Sequence, residues 1–233
     1  MQQDMTNIAY TKEYADSVRY YENALFEAEN LREETHKRIN DEMSVYTRDY
    51  VKENFDDKLC NCSYRLSGSD HIIYRNGEKI YIYKALNRGT IYSVFTHQNG
   101  HKYLVFTKDL YGYSVLDLNT MQIFDYFPAA SLHQDTETFI WCNLHYNAEN
   151  NMAAVEGCFW AAPSGVLLTD FTDPMKQAPQ IDVNHKIYEE DNEVNFISWN
   201  RTDLILSVGY SDDEIQKVIT SDEYMSWLKQ ERR

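Results

Sequence analysis

Glycine is scarce, with eight residues in 233, and no two of them stand at the spacing of a nucleotide-binding loop, so the sequence offers no phosphate cradle. Cysteine is scarcer still. Cys60, Cys62, Cys142 and Cys158 are too few and too scattered to staple a secreted scaffold of this size, and reduced thiols are expected. No run of about 18 apolar residues occurs, which leaves no candidate for a membrane-spanning helix. The opening MQQDMTNIAY has no basic region followed by an apolar core, so a cytoplasmic protein is expected. Positive charge is also short. Twenty-two Lys and Arg face 37 Asp and Glu, a formal charge of −15, and such a field repels phosphate backbones and anionic membranes. A protein partner with a basic surface, or self-association, fits that balance; nucleic acid and membrane do not.

What is present suffices for a large core, since 43% of the residues are hydrophobic. From Tyr10 to about Asn40 neither Gly nor Pro occurs, and Tyr14, Val18, Tyr21, Leu25 and Ala28 recur at helical spacing, predicting an amphipathic helix. DEMSVYTRDYVKENF, Asp41 to Phe55, reads as a second helical stretch, so residues 1–58 are expected to be largely helical. After Leu59 the sequence turns to short runs of Tyr, Ile, Val, Phe and Thr broken by turn residues, an antiparallel β core over 59–210. Asn76-Gly77 and Asn99-Gly100 each lie between two such runs and predict hairpins, because both residue types tolerate positive φ. EVNFISWNRTDLILSVGY predicts a third, turning near Asn200 to Asp203. In IYIY, Tyr81 and Tyr83 alternate with Ile80 and Ile82, which suggests a strand covered on both faces. SDDE at Ser211 to Glu214 has capping-box spacing before IQKVI, and Ser221 can cap the next stretch, so residues 211–233 are expected to be helical, with Lys229, Arg232 and Arg233 near the C-terminal end of the dipole. No low-complexity linker divides the chain, which predicts one domain over 1–233.

A faint internal repeat is also present. YGYSVLDLNT, Tyr111 to Thr120, aligns with SGVLLTDFTD, Ser164 to Asp173, placing Gly112 against Gly165 and Asp117 against Asp170. Comparable strand pairs precede each, SVFTHQNGHKYLVFT and WCNLHYNAENNMAAVEG, and ISWNRTDLILSVG keeps the same order. The offset is about 50 residues, within the range of four-stranded propeller blades. Over roughly Ser93 to Gly209 the sequence resembles a WD-repeat or kelch-type β-propeller. The resemblance implies a small or incomplete propeller; a plain antiparallel meander curled around a helix accounts for the same strands. Either way the fold expected is mainly β with helices at both ends.

In the aligned repeat GCFWAAPSG replaces the shorter KDLYG, so the turn after Glu156 is enlarged, and enlarged loops on rigid scaffolds commonly carry binding surfaces. Cys158, Phe159, Trp160, Pro163 and Ser164 are the candidate contact residues of a non-enzymatic binding module. Catalysis has less behind it. Ser164 lacks the flanking glycines of a nucleophile elbow, and the spacing of His133, His145 and His185 pairs none of them with Cys158. Zinc through Cys60, Cys62 and His71 lacks a fourth ligand, so neither metal nor cofactor is expected. The alternative function is a small carboxylate-dependent hydrolase of the glycosidase or esterase type, using Glu156, Asp170 and Asp109 at one end of a sheet.

Overall fold

The structure, a computed structural model, describes residues 4–86, 90–133, 137–189, 192–210 and 213–231. Although no linker marks a boundary, backbone contacts divide the chain into two compact units: Ile8–Thr90 with Thr107–Leu110, and Met1–Asn7 with Ile91–Phe106 and Tyr111–Arg233.

In the first unit, helix α1 spans Lys12–Leu25, with Thr11 capping it by accepting the Tyr14 N–H. The helix expected to reach Asn40 stops at Leu25 although neither Gly nor Pro intervenes. Two contacts stop it: the Phe26 ring packs edge-on against Tyr50 at 5.0 Å, and the Asn30 side-chain amide donates to the Ala24 and Leu25 carbonyls. Those carbonyls are the ones a helix end leaves unpaired. After a 3-10 turn the chain enters β1 (Leu31–Arg38), then β2 (Met43–Asp57), β3 (Cys62–Arg75) and β4 (Glu78–Ala85), an antiparallel sheet in chain order. Asp41 to Phe55 is thus mostly strand rather than helix, and the described part of the segment expected to be largely helical, residues 4–58, is helical only over α1 and that turn. Arg48 is tolerated in β2 because its guanidinium bonds both carboxylate oxygens of Asp70 on β3, at 2.9 and 2.6 Å. The β3–β4 turn is the expected Asn76-Gly77, with φ of 52° and 82°. Helix α1 packs on one face of the sheet through Leu25, Tyr50, Phe55 and Leu66. β4 is not covered on both faces as its alternation suggested: Tyr83 is buried, but Ile82 is 55% exposed. Cys60 and Cys62, expected as reduced thiols, are joined by a disulfide across the β2–β3 turn, whereas Cys142 and Cys158 are free.

The second unit holds three antiparallel meanders with their strands in chain order. The first comprises β5 (Tyr92–Thr96), β6 (Lys102–Phe106), β7 (Tyr113–Asp117) and β8 (Ile123–Tyr126), followed by α2 (Ala129–His133). The second comprises β9 (Ile140–Asn147), β10 (Met152–Cys158), β11 (Ser164–Asp170) and β12 (Gln180–Asp182), followed by α3 (Val183–Lys186). The third comprises β13 (Val194–Asn200), β14 (Asp203–Val208) and β15 (Ile215–Ile219), before α4 (Ser221–Glu231). IQKVI is therefore a strand paired with β14 rather than the start of a helix. Its expected cap begins at Ser211 and Asp212, which lie outside the described residues, as do Arg232 and Arg233. The side chain that caps α4 is Thr220, one residue before Ser221, accepting the Glu223 N–H at 3.4 Å, and Lys229 lies in the last turn.

The aligned segments occupy equivalent places. β7 and β11 are each the third strand of a meander, and Asp117 and Asp170 each end that strand by accepting the backbone N–H two residues on, at 2.8 and 2.9 Å. The paired glycines have a reason in space: a Cβ at Gly112 would stand 2.3 Å from the Tyr126 carbonyl oxygen, and one at Gly165 2.9 Å from the Asn184 side-chain oxygen. The middle meander is buried on both faces. Met152, Ala154, Val166 and Leu168 face Leu204, Leu206 and Tyr224, while Ala153, Val155 and Leu167 face Val105, Tyr113 and Val115. The first strands lie side by side: Ser93 Oγ donates to the Leu144 carbonyl at 3.4 Å, and Trp199 Nε1 to the His145 carbonyl at 3.0 Å. Their turns are tied as well, by Gln98 to the Ala148 carbonyl and Asn147 to the Arg201 carbonyl. No closed barrel forms among the described strands, and no described helix is long and apolar enough to cross a membrane.

Candidate functional site

The β10–β11 turn is a five-residue connection, Phe159 to Pro163, and is not enlarged as the alignment suggested: the matching β6–β7 connection is six residues, 107–112, because β10 and β11 stay paired out to Cys158 and Ser164 and take up the extra sequence as strand. It tightens through the Ala162 N–H bonding the Phe159 carbonyl at 3.1 Å, with Ala161 at a φ of 59°. The two rings part here. Phe159 turns inward, edge-on to Phe139 at 5.4 Å, and helps wall a cavity of about 160 Å³ that Tyr126, Phe139, Trp141 and Leu167 also line, with Thr138, Gln180 and Asp182 as its polar members. Trp160 turns outward and is 62% exposed. Leaving a large indole in water at the apex of a short turn wastes apolar area that the adjacent core could have buried. Pro163 is half-buried, and Ser164 donates its hydroxyl to the Asn195 side-chain oxygen at 2.9 Å. That serine is a structural link between β11 and β13.

The carboxylates do not assemble as a glycosidase pair. Glu156 pairs with Val166 and Met152 with Asp170, so Glu156 and Asp170 lie four ladder steps apart, roughly 13 Å at strand rise, beyond the spacing two cooperating carboxylates need. Asp170 is committed to its turn, accepting from the Thr172 amide and hydroxyl. Asp109 belongs to the other compact unit, where burial raises its pKa to about 6 against hydrogen bonds from Leu110 and Tyr14.

Glu156 has partners the sequence did not indicate. One carboxylate oxygen accepts the Phe196 N–H at 3.1 Å; the other meets His145 Nε2 at 2.6 Å and the Asn143 amide at 3.3 Å. The His145 ring stacks on Phe196 with centroids 4.0 Å apart. A register shift in the β9–β10 ladder leaves Cys142 without an opposite residue, and Cys142 and Asn143 are both exposed. A His–carboxylate pair beside two thiols invites a nucleophilic reading, but burial, with Cys158 and Glu156 adding to it, pushes the Cys142 thiol up, the reverse of an activated cysteine. The node instead ties the second meander to the third. Glu156→Ala should therefore cost about 1–3 kcal/mol in a urea unfolding curve, because the Phe196 amide and His145 lose their acceptor; a loss below about 0.5 kcal/mol would show that the node holds nothing.

His145, Asn143 and Phe196 come from β9 and β13, and no local pattern in the sequence announces their meeting. The earlier zinc set has no basis here: Cys60 and Cys62 are bonded to each other, and His71 is buried on β3, stacked on Tyr83 at 4.5 Å. Comparison with protein-family models, curated proteins and solved structures finds no match to the chain.

Proposed function

We propose that the chain is a non-enzymatic recognition module that captures a protein partner through the β10–β11 turn, with Trp160 as the anchor. The observation that carries this reading is the split of the two rings. Phe159 fixes the turn from below, and Trp160 is presented to solvent at its tip. A rigid, exposed indole loses little conformational freedom on binding, and tryptophan is enriched among the residues that dominate interface energies. The formal charge of −15 favours a partner with a basic surface, met at a rate that falls with salt. In this proposal the three tied meanders are blades of an open propeller-like arc, and the β10–β11 turn belongs to the middle one.

The test is affinity capture from lysate of the source cells at low and moderate salt, then titration of the identified partner with wild type and Trp160→Ala. Partner affinity should weaken at least about 10-fold, which is about 1.4 kcal/mol, while the melting temperature stays unchanged. Unchanged affinity, or a melting temperature lowered by several degrees, would remove the turn from the proposal.

A further inference from the structure

We propose that the exposed turn between β2 and β3 is a thiol–disulfide exchange site at which the Cys60–Cys62 disulfide oxidises thiols. The two cysteines are bonded across one intervening residue, with Cα atoms 5.5 Å apart, and both are exposed. A disulfide stabilises a fold chiefly by closing a long loop of the unfolded chain, and a loop this short removes little chain entropy. Stability is therefore a poor reason for this bond.

The turn is also held without it. Asp57, buried at the end of β2, accepts the Leu59 N–H at 2.8 Å, the Cys60 N–H, and the hydroxyls of Tyr21 and Tyr64 at 3.0 and 2.9 Å. The Lys58 N–H donates to the Tyr20 hydroxyl at 3.0 Å. Helix α1 and both strands thus fix the backbone that carries the sulfurs, and Asn61, at a φ of 53°, supplies the left-handed residue of the tight return. Because Asp57 and the tyrosines define the turn, opening the disulfide leaves the scaffold in place. An exposed disulfide is the kind a thiolate can reach.

The exchange balances without another reagent. A substrate thiolate attacks one sulfur, forming a mixed disulfide and expelling the other cysteine as a thiolate, which takes up the proton the substrate thiol lost. A second substrate thiol attacks the mixed disulfide, forming the substrate disulfide and freeing the remaining cysteine as a thiol. Two thiols become one disulfide, and Cys60–Cys62 becomes two thiols. The substrate class is thiols, either a small one such as glutathione or the cysteines of a polypeptide.

The test uses the full chain with Cys142→Ser and Cys158→Ser, purified without reductant, so that every remaining sulfhydryl belongs to the turn. Titration after denaturation should find no free thiol, and two after reduction. The folded protein is then incubated with reduced glutathione or, separately, with a reduced unfolded polypeptide bearing cysteines. Loss of the Cys60–Cys62 disulfide matched by substrate disulfide, with an unchanged circular dichroism spectrum, supports the proposal, and the arm that reacts identifies the source. Two free thiols in the protein as purified overturn it, as does a disulfide that neither substrate touches until the chain is unfolded. A melting temperature several degrees lower in Cys60→Ser/Cys62→Ser also overturns it, by making the bond a staple.

Discussion

Phe171→Ala should cost about 4 kcal/mol of unfolding free energy, a large share of what a domain of this kind has to lose. The residue follows β11 immediately and is fully buried. Its ring lies 5.9 Å from Phe95 and 6.2 Å from Tyr113, so it bridges the first and second meanders. Its backbone is engaged as well, with the carbonyl accepting from His97 Nε2 at 3.0 Å and the N–H donating to Asn151. Truncation leaves a void between two sheets whose backbones are fixed by their own ladders and cannot close on it. Phe171→Leu keeps most of the volume and should lose under about 1.5 kcal/mol. Denaturant unfolding of both variants checks this, and a loss below about 1 kcal/mol for the alanine would mean that the two meanders do not depend on this core.

Asp109→Asn should act in the opposite direction and stabilise the protein above neutral pH. Burial raises the Asp109 carboxyl from its ordinary 3.8 to about 6, even though the Leu110 amide donates to it at 2.6 Å and Tyr14 bonds it. A raised folded-state value means that the native state holds a proton the unfolded state has released. Between about pH 4 and 6 the native protein thus binds more protons, stability falls as pH rises, and above pH 6 the full penalty remains. The shift corresponds to roughly 3 kcal/mol, and an asparagine, which keeps an acceptor for Leu110 without the charge, should recover about 2 kcal/mol at pH 8 and nothing at pH 4. Unfolding curves at the two pH values decide it: a variant less stable than wild type at pH 8 would show that the ionised form is the one the site favours.

The Asn76-Gly77 hairpin was legible because both residues take positive φ and need no distant partner to turn the chain; at Asn99-Gly100 the glycine alone does so, and at the β13–β14 turn Arg201 does. The repeat was legible for a similar reason, since Asp117 and Asp170 cap turns made by their own next residues. β2 was not. Its Arg48 is neutralised by Asp70 on another strand, and a local reading of TRDYVKENF sees only residues that suit a solvated helix. The end of α1 was hidden likewise, because Asn30 and Tyr50, rather than a glycine or proline, stop it. At the candidate site the alignment located the turn between β10 and β11 but misjudged its length, because Cys158 and Ser164 extend the ladder rather than the loop. The Glu156–His145–Phe196 node could not, since it exists only once two meanders are side by side.

Every sheet in the molecule pairs its strands in the order in which they are made. During synthesis, each meander can therefore close as soon as its own last strand has left the ribosome, without waiting for any later segment, and the loop-closure cost of each pairing stays small. The short bridge from Asn7 to Pro128 departs from that order, and obliges the segment around Asn7 to wait until more than half of the chain has been translated. Vectorial folding would thus lay down the β1–β4 sheet first, leave the N-terminal segment exposed to the cell in the meantime, and dock it only after the β5–β8 meander exists to receive it.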